Sequence, residues 1–372
     1  MANKIEIKLD PINICMIAPM GAGKTSILST LMKYFEDNFI NKAKGFSISI
    51  NAQDQKLLDD FDKEISTYIN AGSFNVETGM LLNPNDNSRK FEFVLSLDSK
   101  ADTKVSQKIT IMDYPGGWIT ETKKNEEFME HLLNSRILWL PVDTPLLMQT
   151  DPNDAQEKAW MQQKLSKDSV LKLVKEWAQY RNDDYQKNDA LSCVNFVMTK
   201  CETYFSQAPN KDLSKKVKVR FDEQYKSIVQ EIHKASPTTE IFYYPVDTIG
   251  SVKIIDSEWV NKDGKGVLET KYSIIETERK IRGCSLLSKS LIDYSVAQIN
   301  GELKAVDDSA DEILNEDSWI YRLWNTISGK SKLAAYQKEE IKKLTPCMKT
   351  LGEKMKELKE NDLEYNQYFQ SL

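Results

Sequence analysis

The segment Ala18-Pro-Met-Gly-Ala-Gly-Lys24-Thr25 constrains this chain more than any other stretch. It follows the apolar run Ile12-Asn-Ile-Cys-Met-Ile17 and opens a helical pattern over 24–39, in which Ile27, Leu28, Leu31, Met32 and Phe35 recur on one face. A strand, a glycine-bearing loop and a helix in that order are what a phosphate-binding loop requires. Gly21 and Gly23 allow the backbone to turn tightly, so that successive N–H groups point at phosphate oxygens. Lys24 can reach the β- and γ-phosphates, and the Thr25 hydroxyl is placed to ligate Mg²⁺. The helix adds the partial positive charge of its N-terminus. Gly21, Ala22, Gly23, Lys24, Thr25 and Ser26 are therefore the candidate phosphate-binding residues. Ala18 stands where the usual pattern has its first glycine, but Gly23-Lys24-Thr25 carries most of the chemistry.

The remaining composition limits what surrounds such a loop. A chain of 372 residues, 40% hydrophobic and 28% charged, is an ordinary globular protein with room for one large domain with insertions, or two domains. A net charge of −6 argues against a broad nucleic-acid surface. Five cysteines are scattered without paired spacing, and Cys15 and Cys193 fall in expected core strands, which suits buried thiols in a reducing cytoplasm. The first residues lack an apolar signal core, and no stretch approaches the ~18 apolar residues of a membrane span. With only His131 and His233 present, a histidine-based metal site or triad is not expected.

Along the chain, strand-like runs at Phe91–Leu97 and Val105–Met112, with a short polar link, predict a hairpin. Buried strands follow at 136–142 and 194–198, and a last sheet strand at 241–246. Between them lie a helical insertion, strongest at Val170, Leu171, Val174, Trp177 and Ala178, and a helix over 213–234. A long stretch over 41–90 carries a helix near Leu57–Ile69. Two alternating runs around Asn261-Lys-Asp-Gly-Lys-Gly266 give an Asp-Gly hairpin signal. A helix over 286–299 closes this part. The expected fold is α/β, a mostly parallel sheet flanked by helices. Residues 1–300 form the main domain, with insertions at about 41–90, 143–190 and 251–282. Residues 301–372 form a helical C-terminal extension without strand signal.

Two further motifs bear on chemistry. Ile109-Thr-Ile-Met-Asp113-Tyr-Pro-Gly116 ends a strand with an acid and gives Asp-x-x-Gly. Asp113 is placed to hold Mg²⁺, and the Gly116 N–H to touch a γ-phosphate and report its presence. After the 194–198 strand comes Thr199-Lys200-Cys201-Glu202. It resembles the Thr/Asn-Lys-x-Asp segment of GTPases, which implies a lysine stem along a guanine ring and a carboxylate on the base N1–H and 2-amino group, a donor pair that adenine lacks. Glu202 stands where the usual pattern has Asp. Val246-Asp247-Thr-Ile-Gly250 holds the place of a final base-contacting loop, with Asp247 its candidate.

These three signals in this order resemble a GTPase of the translation-factor-related class of P-loop proteins, over about residues 10 to 300. The layout more loosely resembles the divergent double-GTPase families of bacterial conflict and defence loci. The resemblance implies a P-loop GTPase fold, GTP or GDP with Mg²⁺, and a cytoplasmic nucleotide-dependent switch. The class also needs a threonine in the mobile loop before the second strand to complete the Mg²⁺ site. Thr78 is the best-placed candidate, with Thr67 second. Gly117 and Trp118 follow Gly116 where many members carry a water-orienting Gln or His, so slow intrinsic hydrolysis is expected. His131 is read as an ordinary helix or surface residue. A P-loop ATPase and a non-hydrolysing scaffold stay open as alternatives.

In the tail, Trp319, Ile320, Leu323, Trp324 and Ile327 recur at helical steps, followed by a second helical pattern over 333–358. The stripe packs back on the main domain, or docks a protein effector or a second copy. Docking on a membrane surface is disfavoured by the acids around 311–317.

Overall fold

In the computed structural model, the residues described are 5–39, 46–77, 88–98, 103–119, 126–188, 192–205, 211–276, 278–285, 287, 288, 290–292, 294 and 370–372. Strand β1 spans Ile5–Met16 and begins well before the expected Ile12. The alternation Ile7-Lys8-Leu9 explains the extra length, with Ile7 buried and Lys8 exposed. Asp10-Pro11 interrupts the register against its neighbour between Leu9 and Ile12. There the Gln107 side chain donates to the Asp10 carbonyl at 2.9 Å.

After α1 (Lys24–Asn38), strands β2 (Phe46–Ile50) and β3 (Ser73–Glu77) flank helix α2 (Ala52–Asn70). The Asn51 side chain caps α2 by accepting the amides of Gln53 and Asp54. The stretch read as an insertion thus contributes two strands that were not expected. The expected hairpin forms from β4 (Arg89–Asp98) and β5 (Thr103–Asp113), paired antiparallel. Helix α3 (Glu126–Asn134) leads to β6 (Ile137–Asp143). The next region is helical as expected, divided into α4 (Thr144–Met148), α5 (Ala155–Leu165) and α6 (Lys167–Asn188). Strand β7 (Cys193–Thr199), the short α7 (Glu202–Phe205), α8 (Lys211–Ala235) and β8 (Glu240–Pro245) follow. Strands β9 (Val252–Lys262) and β10 (Lys265–Ile274) form the expected Asp-Gly hairpin, with positive φ at Asp263 and Gly264. The described positions between 284 and 294 are helical.

The larger sheet has the order β11-β8-β7-β6-β1-β5-β4-β2, where β11 is the pair Gln370–Ser371. Strands β8, β7, β6, β1 and β5 run parallel, while β4, β2 and β11 add antiparallel edges. A second, three-stranded antiparallel sheet has the order β3-β10-β9. Helices α1 and α2 pack on one face of the larger sheet and α3, α5, α6 and α8 on the other. On the second face, fully buried Trp177 donates to the Ser135 carbonyl at 2.8 Å. Chain order reverses at β1, whose neighbours β5 and β6 lie on opposite sides. Ligand crevices in open α/β sheets form outside the carboxyl ends of strands at such a point.

Cys15, Cys193, Cys201 and Cys284 are buried free thiols. Among the described residues no helix is long and apolar enough to cross a membrane. Cys347, the Trp319–Ile327 stripe and the pattern over 333–358 lie outside the described residues.

Candidate functional site

The carboxyl ends of all five parallel strands converge here. They deliver the Ala18–Thr25 loop, Asp113, Asp143, Thr199-Lys200 and Asp247. The loop turns as its glycines predict, with φ of 86° at Gly21 and 90° at Gly23. Gly23 also caps α1, offering no side chain to its first amides. A helix N-terminus of that kind keeps its N–H groups for an anion. Side chains bind the carbonyls of the loop. Lys24 Nζ donates to Ala18 at 2.9 Å and Pro19 at 3.3 Å, Lys200 Nζ to Gly21 at 2.8 Å, and Thr199 Oγ1 to Ala22 at 3.0 Å. With those carbonyls engaged and both glycines at positive φ, the loop has the kind of backbone from which anion-binding concavities are built. Ser26 is buried in the first turn of α1. Burial pulls the Lys24 ammonium below its ordinary pKa, and the Asp113 charge partly restores it.

Thr25 and Asp113, 88 positions apart, meet in a hydrogen bond of 2.7 Å from Thr25 Oγ1 to Asp113 Oδ2. Parallel pairing of β1 with β5 sets Met16 opposite Asp113 and so brings the strand end beside the start of α1. Asp113 is fully buried, and its Oδ1 has no hydrogen-bond partner among the described residues. Burial raises its pKa, opposed by Lys24, the Thr25 hydroxyl and Arg89, which lies opposite Asp113 on β4. A buried carboxylate oxygen without a donor carries a desolvation cost that a hard cation removes. A hydroxyl and a carboxylate are the protein ligands Mg²⁺ takes when phosphates and water supply the rest. No cluster of three or more His, Cys, Asp or Glu suited to a metal occurs among the described residues.

Gly116 is pressed against the loop. A Cβ there would lie 2.1 Å from the Met20 nitrogen and 2.6 Å from Met20 Cα, so no side chain fits. The chain then makes a 3-10 turn, Gly116–Ile119, with the Trp118 ring 5.6 Å from Tyr114. Trp118 brings no water-orienting group to the loop. His131, read from sequence as an ordinary helix or surface residue, is on α3 and part-buried, its Nε2 3.1 Å from the Ile14 carbonyl, and burial lowers its pKa. Thr67 bonds back to the Lys63 carbonyl within α2 at 2.9 Å. Thr78 lies outside the described residues.

On the other flank, Lys200 takes a left-handed backbone (φ 56°) and extends its ammonium between Gly21 O and Asp143 Oδ2, the latter at 2.6 Å. Asp143 escaped the sequence reading. Its Oδ1 caps α4 by accepting the Leu146 amide at 3.2 Å. Asp143-Thr-Pro145 at the end of an apolar run is a cap signature that could have found it. Glu202 is buried, and its Oε1 accepts the amides of Thr248 (2.8 Å), Ile249 (2.6 Å) and Gly250 (3.1 Å). Burial raises the Glu202 pKa while those amides lower it. This oxygen holds the loop after β8, where sequence reasoning gave the carboxylate to a base. Asp247 is buried at the start of that loop, its amide on the Arg282 carbonyl at 3.0 Å.

No family model and no curated protein matches the chain. Among solved structures, it is similar to the GTP-bound GTPase-like domain of Ski7 from S. cerevisiae at 10% identity and TM-score 0.33, covering 66% of this chain and 44% of that one. The same domain with GDP and inorganic phosphate aligns at 13% identity and TM-score 0.28, with coverages of 66% and 44%. The signal recognition particle receptor SRb-GTP/SRX complex from Chaetomium thermophilum aligns at 13% identity and TM-score 0.32, covering 64% of this chain and 93% of that one. The chain thus spans less than half the length of the Ski7 chains. Likenesses at this level carry no argument about function, which rests on the site itself.

Proposed function

We propose that the chain binds a nucleoside triphosphate with Mg²⁺, preferring guanine, and works as a nucleotide-dependent switch with slow hydrolysis. The observation that carries the reading is the 2.7 Å bond joining Thr25 to Asp113 beside a glycine-capped helix. Thr25 and Asp113 would hold the cation, which neutralises charge between the β- and γ-phosphates when bound. The loop amides bind phosphate oxygens, Lys24 balances their charge, and Gly116 lies where a change at the loop is felt. Slow hydrolysis follows from Trp118, whose indole offers no acceptor to orient an attacking water as a Gln or His does. Thr78 remains the candidate for completing the cation's coordination. The layout resemblance points to bacterial conflict systems, a role that the genes neighbouring this one would test.

A second reading, ATP in place of GTP, is favoured by one observation: Glu202 Oε1 is engaged with three backbone amides. Separate calorimetric titrations with GTP and ATP decide between them. A guanine preference above about tenfold (~1.4 kcal/mol) supports the first reading, and equal affinities favour the second. Phosphate release on the scale of unassisted switch GTPases is expected. Binding of GTP without any release would leave a non-hydrolysing scaffold.

A further inference from the structure

The loop Thr248–Gly250 is held along both edges of its backbone. Its amides bond to Glu202 Oε1. Its carbonyls bond to Arg279, which donates through Nε to Ile249 O at 3.1 Å and through Nη2 to Thr248 O at 3.0 Å. The same guanidinium reaches Thr30 Oγ1 on α1 at 3.1 Å and pairs through Nη1 with Asp62 on α2. Five donors fixed in one plane can serve four such partners at once, which an ammonium on a flexible stem does not reproduce. The Arg279 side chain is only 5% exposed, so this charge is retained where its donors are satisfied.

The loop is tied to the phosphate loop through one residue, Lys200. Lys200 donates its amide to Thr248 Oγ1 at 3.1 Å and its ammonium to Gly21 O. Arg279 follows the three-stranded sheet directly, so the 251–282 segment returns to the site with a charged side chain.

We propose that Arg279 is a positioning residue for the nucleobase end of the site. It fixes the Thr248–Gly250 backbone against Glu202, and Asp62 fixes Arg279, so that α2 helps set how long a nucleotide stays bound. This rests on the nucleotide reading above and adds residues to it that touch no phosphate.

The test follows release of a fluorescent guanosine diphosphate from the full-length chain after mixing with excess unlabelled nucleotide. Arg279→Ala should speed release about tenfold, or ~1.4 kcal/mol, with association changed less than about twofold, since affinity changes of this kind fall mostly on dissociation. Arg279→Lys should release faster than wild type and slower than Arg279→Ala. Asp62→Asn, at a side chain about a third exposed, keeps an oxygen that can accept from Arg279 and should speed release about threefold, with the melting temperature recorded beside it. Ile232→Ala, a core truncation on α8, controls for lost stability and should lower the melting temperature with release unchanged. Wild-type release rates in Asp62→Asn and Arg279→Lys overturn the proposal, even if Arg279→Ala fails to fold. If wild type takes up no nucleotide at all, the underlying nucleotide reading falls and this proposal with it.

Discussion

The phosphate flank and the base flank of this crevice use their buried polar groups differently. On the phosphate flank, Asp113 accepts from Thr25 with one oxygen while the other has no hydrogen-bond partner among the described residues, and the start of α1 has no side-chain cap. On the base flank, polar groups bind the polypeptide itself: Lys200 to Asp143 and Gly21, Glu202 to three amides, Arg279 to two carbonyls. The first arrangement is incomplete without a ligand and the second is largely complete. Substitutions on the phosphate flank should therefore cost affinity, and those on the base flank should cost stability first.

Asp143→Ala probes the base flank and carries the largest expected effect. It strands the Lys200 ammonium and uncaps α4, and breaking one side of a buried pair costs about 3–5 kcal/mol. Urea unfolding measures this, and a loss below about 1 kcal/mol would mean the pair is not a pillar of the fold.

Lys24→Ala probes the phosphate flank. Removing the cation that balances the phosphates should weaken nucleotide binding at least about a hundredfold, ~2.7 kcal/mol, with the melting temperature little changed. Calorimetric titration reads it. Binding within about threefold of wild type, less than ~0.7 kcal/mol, would remove the loop assignment. A mutant that instead unfolds would erase the contrast between the flanks.

Gly116→Ala tests the contact between the Asp-x-x-Gly turn and the loop. The added methyl meets the Met20 backbone, so something must shift, at about 1–3 kcal/mol. Lower stability together with weaker nucleotide binding is expected. A change in neither would show that the turn does not lean on the loop.

The two flanks were also unequally legible in the sequence. The loop, its helix and Asp113 announce themselves through local order: strand, glycines, Lys-Thr, and an acid closing a strand. Parallel pairing of β1 with β5 does the rest. Asp143 and Arg279 were not seen. The Asp143–Lys200 pair spans 57 positions, although the helix cap of Asp143 was local, and the partners of Arg279 lie 30 to 249 positions away. Nothing in the local pattern around Arg279 specifies Asp62 or Thr30. The same reason hid β3, which pairs with β10 from nearly the other end of the domain, and β11, a two-residue strand that exists only because β8 offers it an edge. Strand β2 was locally legible in Ser47-Ile-Ser-Ile50 and was passed over within a polar stretch. The Asp-Gly hairpin was readable because its turn chemistry is self-contained.

The smallest expected effect, and the most direct test of the central claim, is the pH and Mg²⁺ dependence of guanosine diphosphate binding in wild type and Asp113→Asn. Burial holds the folded-state Asp113 pKa above its unfolded value. The ligand-free protein should therefore lose stability as pH rises from the ordinary carboxylate range through that raised value, and Glu202 contributes with the same sign. Binding with Mg²⁺ needs the carboxylate and should run the other way, weakening as pH falls through the same window. In wild type, Mg²⁺ should tighten binding over a chelated control at neutral pH, and the gain should shrink on acidification. In Asp113→Asn the gain should be small at every pH. An equal Mg²⁺ gain in both proteins, with the same pH profile, would contradict the account.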